Sequence, residues 1–202
     1  MNNKKKSQFI EYFSKGIKNS NQLKIGVEHE RFLFEGQNKK RISYETLKKL
    51  FENLKKNGWN PLFEKKNIIG MQRKNQQITT EPGLQCELSG APLENVHQVC
   101  AESSNFLKEI QLASKGLDLN TVSIGFDPFN NLSKVPRSPK QRYNIMTKEM
   151  PKGGSQSLEM MYRTCGIQIN YDYTSENNFE KIFRLGNYLT PLAIALLSLI
   201  HI

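Results

Sequence analysis

Cysteine is scarce in this chain, with three in 202 residues. Cys86, Cys100 and Cys165 form no Cys-x-x-Cys pair and leave an odd count, which argues against a secreted disulfide scaffold or a structural zinc site. A long hydrophobic run is missing too. The stretch from Leu189 to Ile202 is too short and too interrupted to span a bilayer. The opening Met-Asn-Asn-Lys-Lys-Lys-Ser lacks the apolar core of a signal peptide. Internal repeats, a heptad seam and a linker-like segment are also missing. A soluble, cytoplasmic protein of one ordinary domain, with no membrane partner, is therefore expected.

Acidic residues are in deficit, 19 against 29 Lys and Arg, for a formal net charge of +10. A basic face attracts phosphates regardless of sequence. The cations are dispersed, however, in pairs such as Lys48-Lys49, Lys55-Lys56 and Lys65-Lys66 on the polar sides of apolar-periodic segments. Solvated faces explain that pattern, and so does attraction of an anionic small molecule such as ATP. A nucleic-acid-binding module would interleave aromatics with Lys and Arg on an exposed face. Here the aromatics lie mainly on apolar stripes, and no nucleic-acid partner is expected.

The few acids stand in unusual places. Ile78-Thr-Thr-Glu-Pro-Gly-Leu-Gln-Cys-Glu-Leu-Ser-Gly-Ala-Pro-Leu-Glu94 sets Glu81 and Glu87 on either side of a Pro-Gly turn, inside what otherwise reads as strand. Glu is a poor strand former, and an unpaired buried carboxylate is costly. Those acids are expected to meet a metal, an Arg or a cationic ligand. Ile25 to Phe34 reads as a second such strand, with Glu28 and Glu30 on one face and about 7 Å apart. The two segments together suggest a metal–nucleotide site.

Periodicity predicts helices over 7–18, 43–57, 92–115 and 175–196, the second capped by Ser43 and ended by Gly58. Pro92 is placed in the first turn of the third helix, and Cys100 on its buried stripe as a small core residue. His97 reads as a surface or boundary histidine, since no second ligand stands four residues on. Strands are predicted over 25–34, 67–72, 76–81, 84–89, 119–126 and 166–173, and Thr190-Pro191 is read as opening another turn. The last strand, Gly166-Ile-Gln-Ile-Asn-Tyr-Asp-Tyr173, has Gln168, Asn170 and Asp172 on a polar face that lines either solvent or a ligand site. Met150-Pro-Lys-Gly-Gly-Ser155 reads as a loop whose glycines and Lys152 suit approach to a phosphate, without the spacing of a P-loop.

Gly26-Val-Glu-His-Glu-Arg-Phe32, Thr80 to Glu94, Arg142-Tyr-Asn-Ile-Met146, Met150 to Ser155 and Met160-Met-Tyr-Arg-Thr-Cys-Gly-Ile-Gln-Ile-Asn170 occur in that order along the chain. With these motifs, from about residue 20 to residue 196, it resembles the glutamate–cysteine ligases of the plant and proteobacterial type. The resemblance implies ATP-dependent joining of the γ-carboxyl of L-glutamate to the amine of L-cysteine through a γ-glutamyl phosphate, the first step of glutathione synthesis. It implies an α+β fold, a curved and mainly antiparallel sheet with helices on its outer face, here incomplete. It implies magnesium held by Glu28, Glu30, Glu81 and Glu87, catalytic roles for Arg142 and Arg163, substrate contacts from Gln168, Asn170 and Asp172, and nucleotide contact from Lys152. Met160 and Met161 are expected in the core. The cysteine matching Cys100 is redox-sensitive in plant members, whereas a plain buried thiol is expected here.

Members of that family are considerably longer, and their later motifs are missing. Leu197-Ser-Leu-Ile-His-Ile202 matches one reading-frame translation of a transposon mosaic-end adapter. Residues 1–196 are therefore expected to be the N-terminal portion of one catalytic domain, and 197–202 an adapter scar. A related ligase with another amine acceptor is the alternative reading.

Overall fold

The computed structural model describes residues 3–197. Two compact units divide them: residues 26–170 form one, and residues up to 25 join those from 171 onward in the other. The larger unit is built on an antiparallel sheet. Its elements are β1 (Ile25–Glu35), β2 (Lys40–Arg41), α2 (Tyr44–Leu54), β3 (Asn60–Glu64), β4 (Asn67–Arg73), β5 (Gln76–Thr80), β6 (Cys86–Ser89), α3 (Val96–Ala113), β7 (Leu119–Val122), α4 (Gln141–Glu149), α5 (Ser157–Arg163) and β8 (Ile167–Tyr171). Strand order is β2-β1-β6-β5-β4-β3, with β7 and β8 also pairing with β1. The expected α+β class with a mainly antiparallel sheet is what the chain adopts.

Alternation along the strands sorts the side chains by face. Leu33, Met71, Ile78, Cys86 and Leu88 pack with Leu47, Leu50, Phe51 and Leu54 of α2 and with Phe106, Ile110 and Ala113 of α3 in one buried core. The opposite face keeps the acids. The Ser43 side chain accepts from Thr46 N–H at the start of α2, and Gly58 turns the chain away from it at φ +80°.

Several expectations on the elements are corrected. Asn95, not the region of Pro92, caps α3, by accepting from Gln98 N–H at 3.1 Å. Cys100 is exposed rather than core. It lies six residues from buried Phe106, about 120° round the helix, so it faces solvent. The 84–89 strand begins only at Cys86, because buried Leu84 adopts φ +59° to close the turn before it. β7 ends at Val122 instead of running to 126. β2, β3, α4 and α5 were not foreseen, and β8 is exposed on both faces.

The smaller unit contains α1 (Asn3–Ser14), four residues earlier than expected, and α6 (Glu176–Leu196). Phe179 of α6 packs its ring 6.0 Å from Phe13 and 5.1 Å from Tyr173. α6 is capped by Ser175 and continues through Pro191, where the sequence suggested a turn. The expected adapter scar falls almost wholly on 198–202, outside the described residues.

Candidate active site

β1 and β6 run antiparallel in a register that sets Glu30 directly opposite Glu87, with Thr79 beyond it on β5. Directly paired residues project from the same face, so two carboxylates meet. Glu81 joins them from the turn after β5. Its N–H donates to Gln85 O, and Leu84 N–H donates to Glu81 O, both at 2.9 Å. That closed turn brings carboxylate oxygens of Glu30, Glu81 and Glu87 within 4.8 Å of one another.

Each acid is also held by donors. Thr79 and Ser89 hydroxyls both donate to Glu87 Oε1 at 3.0 Å. Gly166 N–H donates to Glu30 Oε2 at 2.6 Å, and Tyr143 O–H donates to Glu81 Oε1 at 3.0 Å. These bonds do not offset the concentration of charge. Burial, with Glu81, Glu87 and Glu28 adding repulsion, pushes the Glu30 carboxyl up to about 7. Burial and Glu87 raise Glu81 as well. A crowded trio in which the ionised forms of Glu30 and Glu81 are disfavoured gains from a cation.

The donor set is all oxygen, which suits a hard divalent ion. An octahedral magnesium at about 2.1 Å from each ligand places those oxygens about 3–4 Å apart. The three oxygens, within 4.8 Å of one another, are close enough for one such ion to engage together. The residues therefore fit the expected ion.

Other candidates are distributed unevenly. Glu28 lies outside this trio and accepts from Asn170 Nδ2 at 3.1 Å. Arg142, in the first turn of α4, reaches Glu81 Oε1 at 3.5 Å and the Tyr143 hydroxyl at 2.6 Å while staying 62% exposed. Arg163 is occupied elsewhere: it donates to Glu159 and to Asp127 O, and stacks over Phe126. Gln168 is exposed on β8. Asp172 belongs to the smaller unit, where Lys18 Nζ and Lys24 N–H bind its carboxylate. Lys152 is exposed and paired with Glu149.

A small cavity of about 170 Å³ adjoins the acids, lined by Glu30, Glu81, Gln85 and four methionines, Met146, Met150, Met160 and Met161. Met161 is buried as expected, but Met160 is half exposed.

Three residues that support this geometry escaped the sequence reading. Arg41 is fully buried. Its guanidinium donates to Gly83 O, Tyr162 O and Asp127 Oδ2 and lies over the Phe32 ring. Gln85 receives Gly83 N–H on its side-chain oxygen and donates to Met161 O and Thr164 O. Together they fasten the Glu81 turn to the end of α5. Lys140, directly before α4, is 7% exposed. Lys and Arg ordinarily lie outside, so composition carries no signal for buried ones.

Residues 24–198 match the family model described as glutamate-cysteine ligase family 2 (GCS2). The chain belongs to glutamate-cysteine ligase family 2. It is 40% identical over 194 residues to the chloroplastic glutamate–cysteine ligase of Medicago truncatula, covering 96% of this chain and 38% of that protein. The chloroplastic enzymes of Oryza sativa subsp. japonica (ligase A) and Arabidopsis thaliana are 39% and 38% identical, with 96% of this chain and 39% and 37% of theirs covered. The chain thus spans less than two fifths of the length of these relatives. Their names place them in chloroplasts, at odds with the cytoplasmic location expected for this family member. Among the described residues no helix is long and apolar enough to cross a membrane.

Proposed function

We propose that the protein carrying this chain is an ATP-dependent ligase that joins the γ-carboxyl of L-glutamate to the amine of L-cysteine, opening glutathione synthesis. The observation that carries this reading is the convergence of Glu30, Glu81 and Glu87 on one sheet face of a chain matched to the family. A carboxylate is a poor electrophile, so the reaction is read as phosphorylation by ATP to a γ-glutamyl phosphate, followed by attack of the amine and loss of phosphate. Magnesium held by the three glutamates would offset the charge of the phosphates during transfer.

The protein's own groups have distinct tasks. Glu30, Glu81 and Glu87 supply oxygens fixed by Gly166, Tyr143, Thr79 and Ser89 before any ligand arrives. Such preorganisation avoids reordering during the reaction. Arg142 is exposed enough to reach an incoming anion and can hold a carboxylate or phosphoryl group by two parallel N–H bonds. Glu28 and Asn170, bonded to each other, would contact bound substrate. A related ligase with a different amine acceptor would use the same acids.

The test is ADP release by the protein made from the complete reading frame. Glutamate plus cysteine with magnesium and ATP should give turnover, and Glu87→Gln should reduce kcat about a hundredfold or more. Equal turnover with and without glutamate would refute the assignment. Equal rates with cysteine and with other amines would favour the alternative acceptor.

A further inference from the structure

Lys140 carries a charge that the fold leaves unmatched. It is 7% exposed, and among the described residues its ammonium makes no hydrogen bond or ion pair. Its Nζ lies over the Tyr143 ring, 5.5 Å from the centroid. The aliphatic stem is packed away while the ammonium at its end is bonded to no protein anion, which leaves the charge held in place and free to meet an anion from solution. Burial correspondingly weakens its hold on the proton, with Glu81, Glu87 and Glu64 opposing that effect from a distance and Arg142 adding to it.

Its position is fixed on both sides. Before it, Ser138 N–H donates to Pro82 O at 2.9 Å, and the Ser138 and Thr80 hydroxyls meet at 3.0 Å. After it, Gln141 N–H donates to Glu64 Oε2 at 2.8 Å, and Tyr143, whose N–H returns to Lys140 O, donates its hydroxyl proton to Glu81. The segment that carries Lys140 is thereby strapped to the turn that carries Glu81. Arg142 reaches Glu81 at 3.5 Å, and the Lys140 charge is felt by Glu81 and Glu87, so two cations accompany the acids. That is the charge pattern for a metal-bound polyanion: the acids take the metal, and the cations take anionic oxygens beside it.

We propose that Lys140 is a further ligand-binding residue, whose ammonium holds the terminal phosphoryl group of a nucleoside triphosphate beside the Glu30–Glu81–Glu87 site. The proposal rests on the ligase reading for the identity of that anion. A free carboxylate needs no metal neighbour, whereas phosphate oxygens commonly share one with protein carboxylates. Lys152, expected to contact the nucleotide, is by contrast exposed and already paired with Glu149.

The experiment measures equilibrium binding of adenylyl imidodiphosphate, ADP and glutamate, each with magnesium, to the protein from the complete reading frame. Lys140→Met should weaken the triphosphate analogue about tenfold or more and leave ADP and glutamate within about twofold. Lys140→Arg should recover most of the loss, and it also serves if the Met variant does not fold. Weakened glutamate binding with unchanged triphosphate affinity would overturn the phosphoryl assignment. A lowered melting temperature with all three affinities intact would make Lys140 only a counter-ion of Glu81. Wild-type protein that binds the triphosphate but releases no ADP with glutamate and cysteine would sink the ligase reading, while the Lys140 comparison would still decide this one. If wild type binds no triphosphate, both fail.

Discussion

Glu30 couples the stability of the protein to pH in a direction opposite to that of most carboxylates. An isolated Glu titrates near 4.5, and here burial and the neighbouring acids hold Glu30 at about 7. The folded chain therefore binds this proton more tightly than the unfolded chain does. In the absence of metal, its contribution to stability is full below about pH 4.5 and declines as pH rises through 7. Glu30→Gln should melt like wild type near pH 4 and above it at pH 8 in chelator. Magnesium should reverse that order at pH 8, because it stabilises only a protein that can bind it. Melting curves at the two pH values, with and without magnesium, check both statements, and a Gln variant no more stable at pH 8 in chelator would refute the repulsion account. Arg41 poses the converse problem. Its side chain and that of Asp127 are fully buried and 3.3 Å apart. Removing one member of such a pair leaves the other uncompensated, so Arg41→Met should cost about 3–5 kcal/mol in urea denaturation. Adding Asp127→Asn should restore part of the loss; no restoration would mean that Gly83 and Tyr162 carbonyls, not Asp127, are what Arg41 serves.

At the scale of elements, local chemistry was legible where the chain signals its own boundaries. α2 has a cap, an i, i+3, i+4 apolar stripe and a left-handed glycine, and each of the three is used. Ser43→Ala should accordingly destabilise by about 1 kcal/mol, a loss that Ser43→Asp should largely avoid in thermal melts. β3 was illegible because Asn60 and Pro61 argue against a strand; it is tolerated at the open edge of the sheet, where a missing N–H matters least. α5 spans seven residues, too few for periodicity to speak. The turn between β5 and β6 is the element on which the site depends. A Cβ on Gly83 would lie 2.5 Å from Tyr162 O and 2.9 Å from Val135 Cγ1. Gly83→Ala should cost about 1–3 kcal/mol and shift Glu81 out of the trio, read as weaker manganese binding beside its stability loss. Unchanged manganese affinity would show that the turn adapts without moving Glu81.

The site as a whole became visible only through pairing between distant segments. Acids inside strands are anomalous, which is why Glu28, Glu30, Glu81 and Glu87 stood out. Glu28 and Glu30 share a face, however, and nothing local tells which one the β1–β6 register sets opposite Glu87. The same limit hid Lys140 and Arg41, whose meaning lies entirely in what packs around them. At this scale the chain also exposes more apolar surface than an isolated protein usually does. Along α6, Phe183, Tyr188 and Leu196 are 64%, 78% and 75% exposed, and Ile167, Ile169 and Tyr171 of β8 are uncovered as well. Exposed apolar side chains in such number on an element mark a contact awaiting its partner, and relatives of the chain carry more than three fifths of their length outside the matched part. Residues 1–202 expressed alone should therefore self-associate at micromolar concentration and release no ADP with glutamate and cysteine, while the product of the complete reading frame stays dispersed. Sedimentation velocity with Phe183→Lys and Tyr188→Lys separates the causes. If the double variant disperses the short chain, the exposed α6 face drives association. If it does not, the uncovered strand β8 becomes the site of contact, since an exposed apolar strand offers its backbone as well as its side chains.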